Sequence, residues 1–236
     1  MTILNNQSRV GNFTSSKIGA LTKKDRSGTG FGAPALTYIE ECNMARRLGR
    51  SLTSEVNARP TTWGHLCERF AYQKLGFDYD LTSKESFQHP TIPYWWGSPD
   101  GRKMPNTVYD LKCPMTLKSF CQLVDGGSIE AIRANHGEGD TYYWQLISNA
   151  IITGSDFAEL IVYVPFRSDL SEIRLMAEDE DRFKWVTYAD DYELPFLIDG
   201  GRYNDINIIE FKVPQSDIDL LTDCVERAGK MLVDVN

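Results

Sequence analysis

A chain of 236 residues, 42% hydrophobic and 25% charged, has the balance of an ordinary globular protein and not of a disordered, collagenous or membrane one. At this length folding buries roughly 70 to 75% of the surface the unfolded chain exposes, so a core needs neither disulfides nor a structural metal. The formal net charge of −8 runs against a protein that grips phosphate, since Lys and Arg supply such contacts.

Charge is unevenly spread, however. Lys17, Lys23, Lys24, Arg26, Arg46, Arg47 and Arg50 gather early, while acid concentrates in 177–182 and 188–193. A basic groove with an acidic back is compatible with that distribution. The opening residues MTILNNQSRV contain no apolar leader, and no stretch approaches the roughly 18 apolar residues of a membrane span, so a cytoplasmic protein is expected. Five cysteines (Cys42, Cys67, Cys113, Cys121, Cys224) form no CxxC pair, which argues against a disulfide framework and a zinc site. His65, His89 and His136 share no ligand spacing and are read as structural or exposed.

In chain order, residues 1–33 are polar and Gly/Ser-rich, notably in RSGTGFGAP (26–34), which reads as an N-terminal arm carrying a mobile loop. A helix is expected over 34–49 behind Pro34. A second starts at Pro60 and stops at Gly76, with Trp63, Leu66, Cys67, Phe70, Ala71 and Leu75 at helical spacing. Segments 92–98 and 106–113 read as strands, 117–125 and 129–135 as short helices. A helix over 141–153 takes Asp140 as N-cap and Gly154 as stop, followed by a buried strand over 158–165. Further strands are expected at 171–176, 183–188 and 205–212, and a last helix capped by Ser216. No repeat or long linker interrupts this order, so a single domain spanning 1–236 is expected, an α/β fold whose few central strands carry helices on both sides.

The residues with chemistry to offer stand in GSPDGRKMPNTVYDLKCP (97–114), where Pro99-Asp100 is followed ten residues later by Asp110-Leu111-Lys112. Side chains alternate along a strand, so Val108, Asp110 and Lys112 share one face and Tyr109, Leu111 and Cys113 the other. Pro99 cannot donate to a central ladder and tends to end or bend the first strand, holding Asp100 beside Asp110. Two carboxylates so placed suit Mg²⁺, which takes oxygen ligands at about 2.0–2.1 Å; the Leu111 carbonyl is the expected third donor. Lys112 would stabilise charge growing on a phosphate in the transition state. Whether it also takes a proton depends on burial set against the neighbouring carboxylates. The competing reading is a Pro-Asp turn beside a solvated strand face, since such a pattern arises by chance in on the order of one chain in twenty.

The ordered segments RVGNFTSSKIG (9–19), SEVNARPTTWGHLCERFA (54–71), GSPDG (97–101), DLKCPMTLKSF (110–120), GGSIEAI (126–132) and YYWQLISNAIITG (142–154) resemble the lambda-exonuclease and YqaJ-like viral recombinase family of PD-(D/E)XK nucleases. The resemblance is colinear from Arg9 to Gly154. It implies a restriction-endonuclease-like core, a central mixed β-sheet flanked by helices. It also implies that Asp100 and Asp110 bind metal with Glu68 directly or through water, and that Gln145 positions Lys112 or the nucleophile. Arg9, Ser16, Ser98 and Lys118 match phosphate-contacting positions of the family.

The implied activity is a Mg²⁺-dependent 5′→3′ exonuclease on double-stranded DNA ends, with Mn²⁺ able to substitute. It would belong to phage-type recombination and leave a 3′ single strand for an annealing protein; a ring-shaped homotrimer is implied by the same resemblance. Three departures stand out: Asp110 replaces a Glu, Lys118 replaces an Arg and loses a bidentate fork, and only eight residues precede Arg9. An endonuclease with the same chemistry is the alternative enzyme. A module that only binds DNA or protein would predict damage at the site, and Glu68, Asp100, Asp110, Lys112 and Gln145 all stand.

Overall fold

Val108, Asp110 and Lys112 do share a strand face, and the sheet around them explains why. The computed structural model describes residues 9–52, 58–80 and 85–234. The helices are α1 (Ala33–Leu48), α2 (Arg59–Lys74), α3 (Leu117–Val124), α4 (Ile129–Asn135), α5 (Gly139–Thr153), α6 (Leu170–Ala177), α7 (Lys184–Tyr188) and α8 (Gln215–Gly229). The strands are β1 (Phe13–Thr14), β2 (Tyr79–Asp80), β3 (Phe87–Gln88), β4 (Trp95–Gly97), β5 (Gly101–Lys103), β6 (Thr107–Lys112), β7 (Phe157–Tyr163) and β8 (Ile206–Lys212).

The main sheet runs β2-β5-β6-β7-β8. Its β6–β7 pair is parallel and the others antiparallel, which makes the mixed central sheet that was expected. The parallel pair needs a crossover, and α3, α4 and α5 supply it. Side chains of β6 and β7 alternate between two cores. Val108, Leu160 and Val162 pack with Leu146, Ile147 and Ala150 of α5 and with Leu221 and Val225 of α8. Tyr109, Leu111, Ile161 and Tyr163 pack on the other side with Trp63, Leu66 and Phe70 of α2 and Ile173 of α6.

A small second sheet, β1-β4-β3, joins the N-terminal arm to the segment before Asp100: Phe13 pairs with Trp95 and Phe87 with Gly97. A Cβ at Gly97 would lie 2.5 Å from Asn149 Oδ1 and 2.7 Å from Ser15 Oγ, so the missing side chain lets β4 lie against α5 and brings Ser98 to Asp100 with it.

Several expectations need correction. Segments 171–176 and 183–188 are helical, within α6 and across a 3₁₀ turn (Asp181–Phe183) into α7. Their buried residues, Leu170, Ile173 and Ala177, then Phe183 and Val186, recur at intervals of three and four, whereas Leu175 is exposed, which rules out strand alternation. The strand over 92–98 is only Trp95–Gly97 and lies in the second sheet. The neighbour of β6 is β5, a three-residue strand with Tyr109 opposite Gly101. α5 starts at Gly139 with Glu138 before it and no side-chain cap. Asp140 sits in its first turn, bonded to Lys23 at 2.5 Å and Arg133 at 2.9 Å. Pro214, not Ser216, precedes α8. Part of the N-terminal arm, residues 1–8, lies outside the described residues; from Arg9 onward the arm is built into β1, a 3₁₀ turn (Ile18–Thr22) and the bridge between Lys24 and Phe31.

Candidate active site

β5 begins at Gly101, and continuing its register would bring Pro99, which has no N–H, opposite Leu111. The ladder stops there, and the Leu111 N–H donates instead to Asp100 Oδ2 at 2.7 Å. The end of one short strand thus fixes Asp100 against the next. Asp110 is almost fully buried; the Gln145 Nε2 of α5 donates to its Oδ1 at 2.9 Å. Asp110 Oδ2 makes an ion-pair contact with the Lys112 ammonium and no other hydrogen bond among the described residues.

Electrostatics follow from that enclosure. Burial first, then the Asp110 charge and more weakly Glu68, push the Asp100 carboxyl well above its usual range, against the pull of Lys112 and the Leu111 N–H. Burial works against the charge on Lys112, but Asp110 and then Asp100 outweigh it and raise the amine above its ordinary value. The two carboxylates thus favour the ammonium form of Lys112, which suits it to stabilising negative charge.

The structure brings Asp100, Asp110, Lys112 and Gln145 into direct contact with one another or with the strand between them. Glu68 arrives half-buried on α2 from the opposite side of the sheet and acts on Asp100 through its charge. Among the described residues no group of three or more His, Cys, Asp or Glu side chains is arranged to hold a metal. Two carboxylates face each other here, short of a closed cage.

Of the expected phosphate contacts, Arg9 and Ser98 come together. Arg9 Nη1 donates to Ser98 Oγ at 3.0 Å and to Ser86 Oγ at 3.3 Å, the two hydroxyls lie 2.8 Å apart, and Arg9 Nε is buried with no hydrogen-bond partner among the described residues. Burial lowers the Arg9 pKa, yet a guanidinium remains charged at any physiological pH. Ser16 is exposed just past β1, 3.3 Å from Thr14 Oγ1, in the wall of a cleft of about 730 Å³ with Lys17, Lys23 and Asp140. Lys118 is exposed on α3.

Two residues that sequence reading passed over belong to this neighbourhood. Ser86 completes the Arg9 cluster, and no local signal links positions 77 residues apart. Tyr142 lies with its ring centroid 5.0 Å from the Lys112 ammonium; its signal is the spacing of three to Gln145, which puts both on one helix face. Nearby, Ser119 Oγ and His136 Nε2 are 2.8 Å apart, the geometry of a hydrolase dyad. His136 Nδ1 accepts the Glu138 N–H at 3.2 Å, which places the ring proton on Nε2, so the imidazole cannot take a proton from Ser119.

The fold is similar to three solved structures. One is a crystal structure of LHK-Exo in complex with dAMP (TM-score 0.61, 18% identity, covering 97% of this chain and 92% of that one). A second is an alkaline exonuclease, LHK-Exo, from Laribacter hongkongensis (TM-score 0.58, 18% identity, 97% and 92%). The third is a phage related exonuclease from Haemophilus somnus 129PT (TM-score 0.60, 13% identity, 93% and 92%). At these identities the likeness establishes the mixed α/β fold. No family model and no curated protein matches the chain.

Proposed function

We propose that this chain is a metal-dependent deoxyribonuclease that digests double-stranded DNA from its ends in the 5′→3′ direction. The observation that carries the reading is the meeting of Asp100, Asp110, Lys112 and Gln145 at one edge of the β5–β6 hairpin, in a fold similar to three exonuclease structures. The donor set fits a hard divalent cation, Mg²⁺ or Mn²⁺. Asp100 and Asp110 supply oxygen only, and Asp110 Oδ2 is buried with the Lys112 ammonium as its sole partner among the described residues. Such an ion would supply Lewis acidity at a phosphate oxygen and a more acidic bound water.

The chain's own residues account for the remainder. Asp100 and Asp110 would hold the ion with the Leu111 carbonyl, Glu68 adding charge from α2. Lys112, kept as an ammonium, stabilises charge gathering on the phosphate. Gln145 donates to Asp110 Oδ1 and so orients that carboxylate, a partner other than the Lys112 or nucleophile expected for it. Arg9 with Ser86 and Ser98 forms a cationic, hydroxyl-rich cluster two residues before Asp100, suited to a terminal 5′ phosphate, whose charge exceeds that of an internal diester. The 3′ single strand handed to an annealing protein, the trimeric assembly and the phage or prophage setting rest on sequence resemblance alone.

The test is to incubate the protein and Mg²⁺ with linear duplex DNA bearing or lacking a 5′ phosphate, beside a closed circle, and to follow product lengths. Mononucleotides released from linear DNA and an intact circle are expected. Cutting of the circle would replace this reading with an endonuclease, and no cutting of any substrate would reject nuclease activity.

A further inference from the structure

We propose that Tyr142 is a positioning residue for Lys112, an inference that rests on the nuclease reading of the site. α5 runs back along β6, and its face presents Gln145 to Asp110 and, three residues earlier, Tyr142 to Lys112. Residues two apart on the strand are thus each matched by residues three apart on the helix. The Lys112 ammonium sits between the Asp110 carboxylate and the Tyr142 ring, its centroid 5.0 Å away. The negative face of an aromatic ring attracts a cation without forming the ion pair that would hold it on a carboxylate. The ring gives Lys112 a place beside Asp110 from which it can still reach a phosphate.

Tyr142 is itself clamped. Its hydroxyl donates to Glu138 Oε2 at 2.5 Å, and its ring stacks on His136 with centroids 5.5 Å apart and planes 28° from parallel. His136 is pinned in turn by Ser119 Oγ and the Glu138 N–H. A ring held by Glu138 and His136 against a lysine is fixed more firmly than packing at a half-buried helix position requires. What the site uses is the π face, because the hydroxyl points to Glu138.

The experiment compares Tyr142→Leu and Tyr142→Phe, each alone and on Lys112→Ala, with initial rates on linear DNA and melting curves for every protein. Tyr142→Leu is expected to lower kcat by about tenfold or more, since small misplacements of a reacting group carry such losses, with KM for DNA unchanged. Tyr142→Phe keeps the ring and should restore the rate. On Lys112→Ala, which has no ammonium to seat, Tyr142→Leu should cost nothing further. An unaffected kcat, an effect confined to KM, or an equal loss with and without Lys112 would overturn the inference while leaving an active wild type and the nuclease reading intact; an inert wild type would overturn both. A second readout needs neither folding of the Leu variant nor activity. In proton NMR of the wild type, the Lys112 ε-methylene signals, assigned by their loss in Lys112→Ala, should be shifted upfield by the ring, and ordinary lysine positions would refute the contact.

Discussion

The surroundings of Asp100 disfavour its charged form, since burial and then Asp110 raise its carboxyl. A carboxyl raised on folding binds more protons folded than unfolded. The stability it contributes is therefore present below the unfolded pKa of about 3.9 and lost as pH rises through the folded value. At pH 8 without metal, Asp100→Asn should raise the melting temperature, by about 2–4 °C for each kcal/mol relieved. An amide oxygen can still accept the Leu111 N–H, and the gap should narrow as pH falls. An unchanged or lower melting temperature would contradict the account of Asp100. Arg9 makes a parallel case for binding. Its removal takes a guanidinium from a pocket with Ser86 and Ser98. Arg9→Ala should slow digestion of 5′-phosphorylated ends by roughly tenfold or more, the size expected for a charged hydrogen bond, and change 5′-hydroxyl ends much less. An unchanged ratio of the two initial rates would remove Arg9 from the pocket. At this scale the sequence was legible where the backbone period does the placing: the Asp110–Lys112 alternation needs nothing but a strand. Ser86 and the Tyr142–Lys112 contact are products of tertiary packing between distant segments; nothing local announces Ser86, and the spacing of Tyr142 to Gln145 gives its helix face but not its partner.

The β5–β6 hairpin is the element on which the site depends. A Cβ at Gly101 would lie 2.3 Å from both Asp80 O and Tyr109 Oη, so the glycine is required by the close approach of β2 and of a fully buried tyrosine. Gly101→Ala should destabilise by about 1–3 kcal/mol and, by shifting the residue next to Asp100, also lower turnover. Gly154→Ala is the control. Gly154 ends α5 at φ +70° with open space around its Cβ, so alanine there meets only the left-handed backbone cost of about 1–2 kcal/mol and should leave kcat alone. Melting curves and initial rates on both variants separate the two effects, and equal kcat for both would show that the hairpin does not hold the site. β5 escapes sequence reading because a three-residue strand (Gly101–Lys103) set between Pro99 and Met104-Pro105 is too short for any period to register. α6 and α7 were misread for a related reason: six-residue windows cannot separate a period of two from one of 3.6, and the buried spacing of three becomes decisive only once Leu170 and Ala177 are included.

Across the whole molecule, one mixed sheet separates two hydrophobic cores, and both are needed to build one site. The core under Val108 carries α5 with Gln145 and Tyr142, while the core under Leu111 carries α2 with Glu68. The layered α/β architecture was legible because helix and strand periods alternate cleanly through β6, α5, β7 and α8. The second small sheet was not, because β1, β3 and β4 are two or three residues long and are joined by register between segments about 80 residues apart in sequence. The net charge of −8 describes the sum and not the site, where half-buried Lys112 pairs with Asp110 and Arg9 bonds Ser98, two residues before Asp100. The central claim is that Asp110 and Lys112 form a hydrolytic centre. Its most direct test is the initial rate of nucleotide release from linear duplex DNA at saturating Mg²⁺ by wild type, Asp110→Asn and Lys112→Ala, with melting curves confirming that all three are folded. Losses of order 10² or more in both variants are predicted, as for removal of a charge-stabilising group from a transition state; near-wild-type turnover by either folded variant would contradict the account.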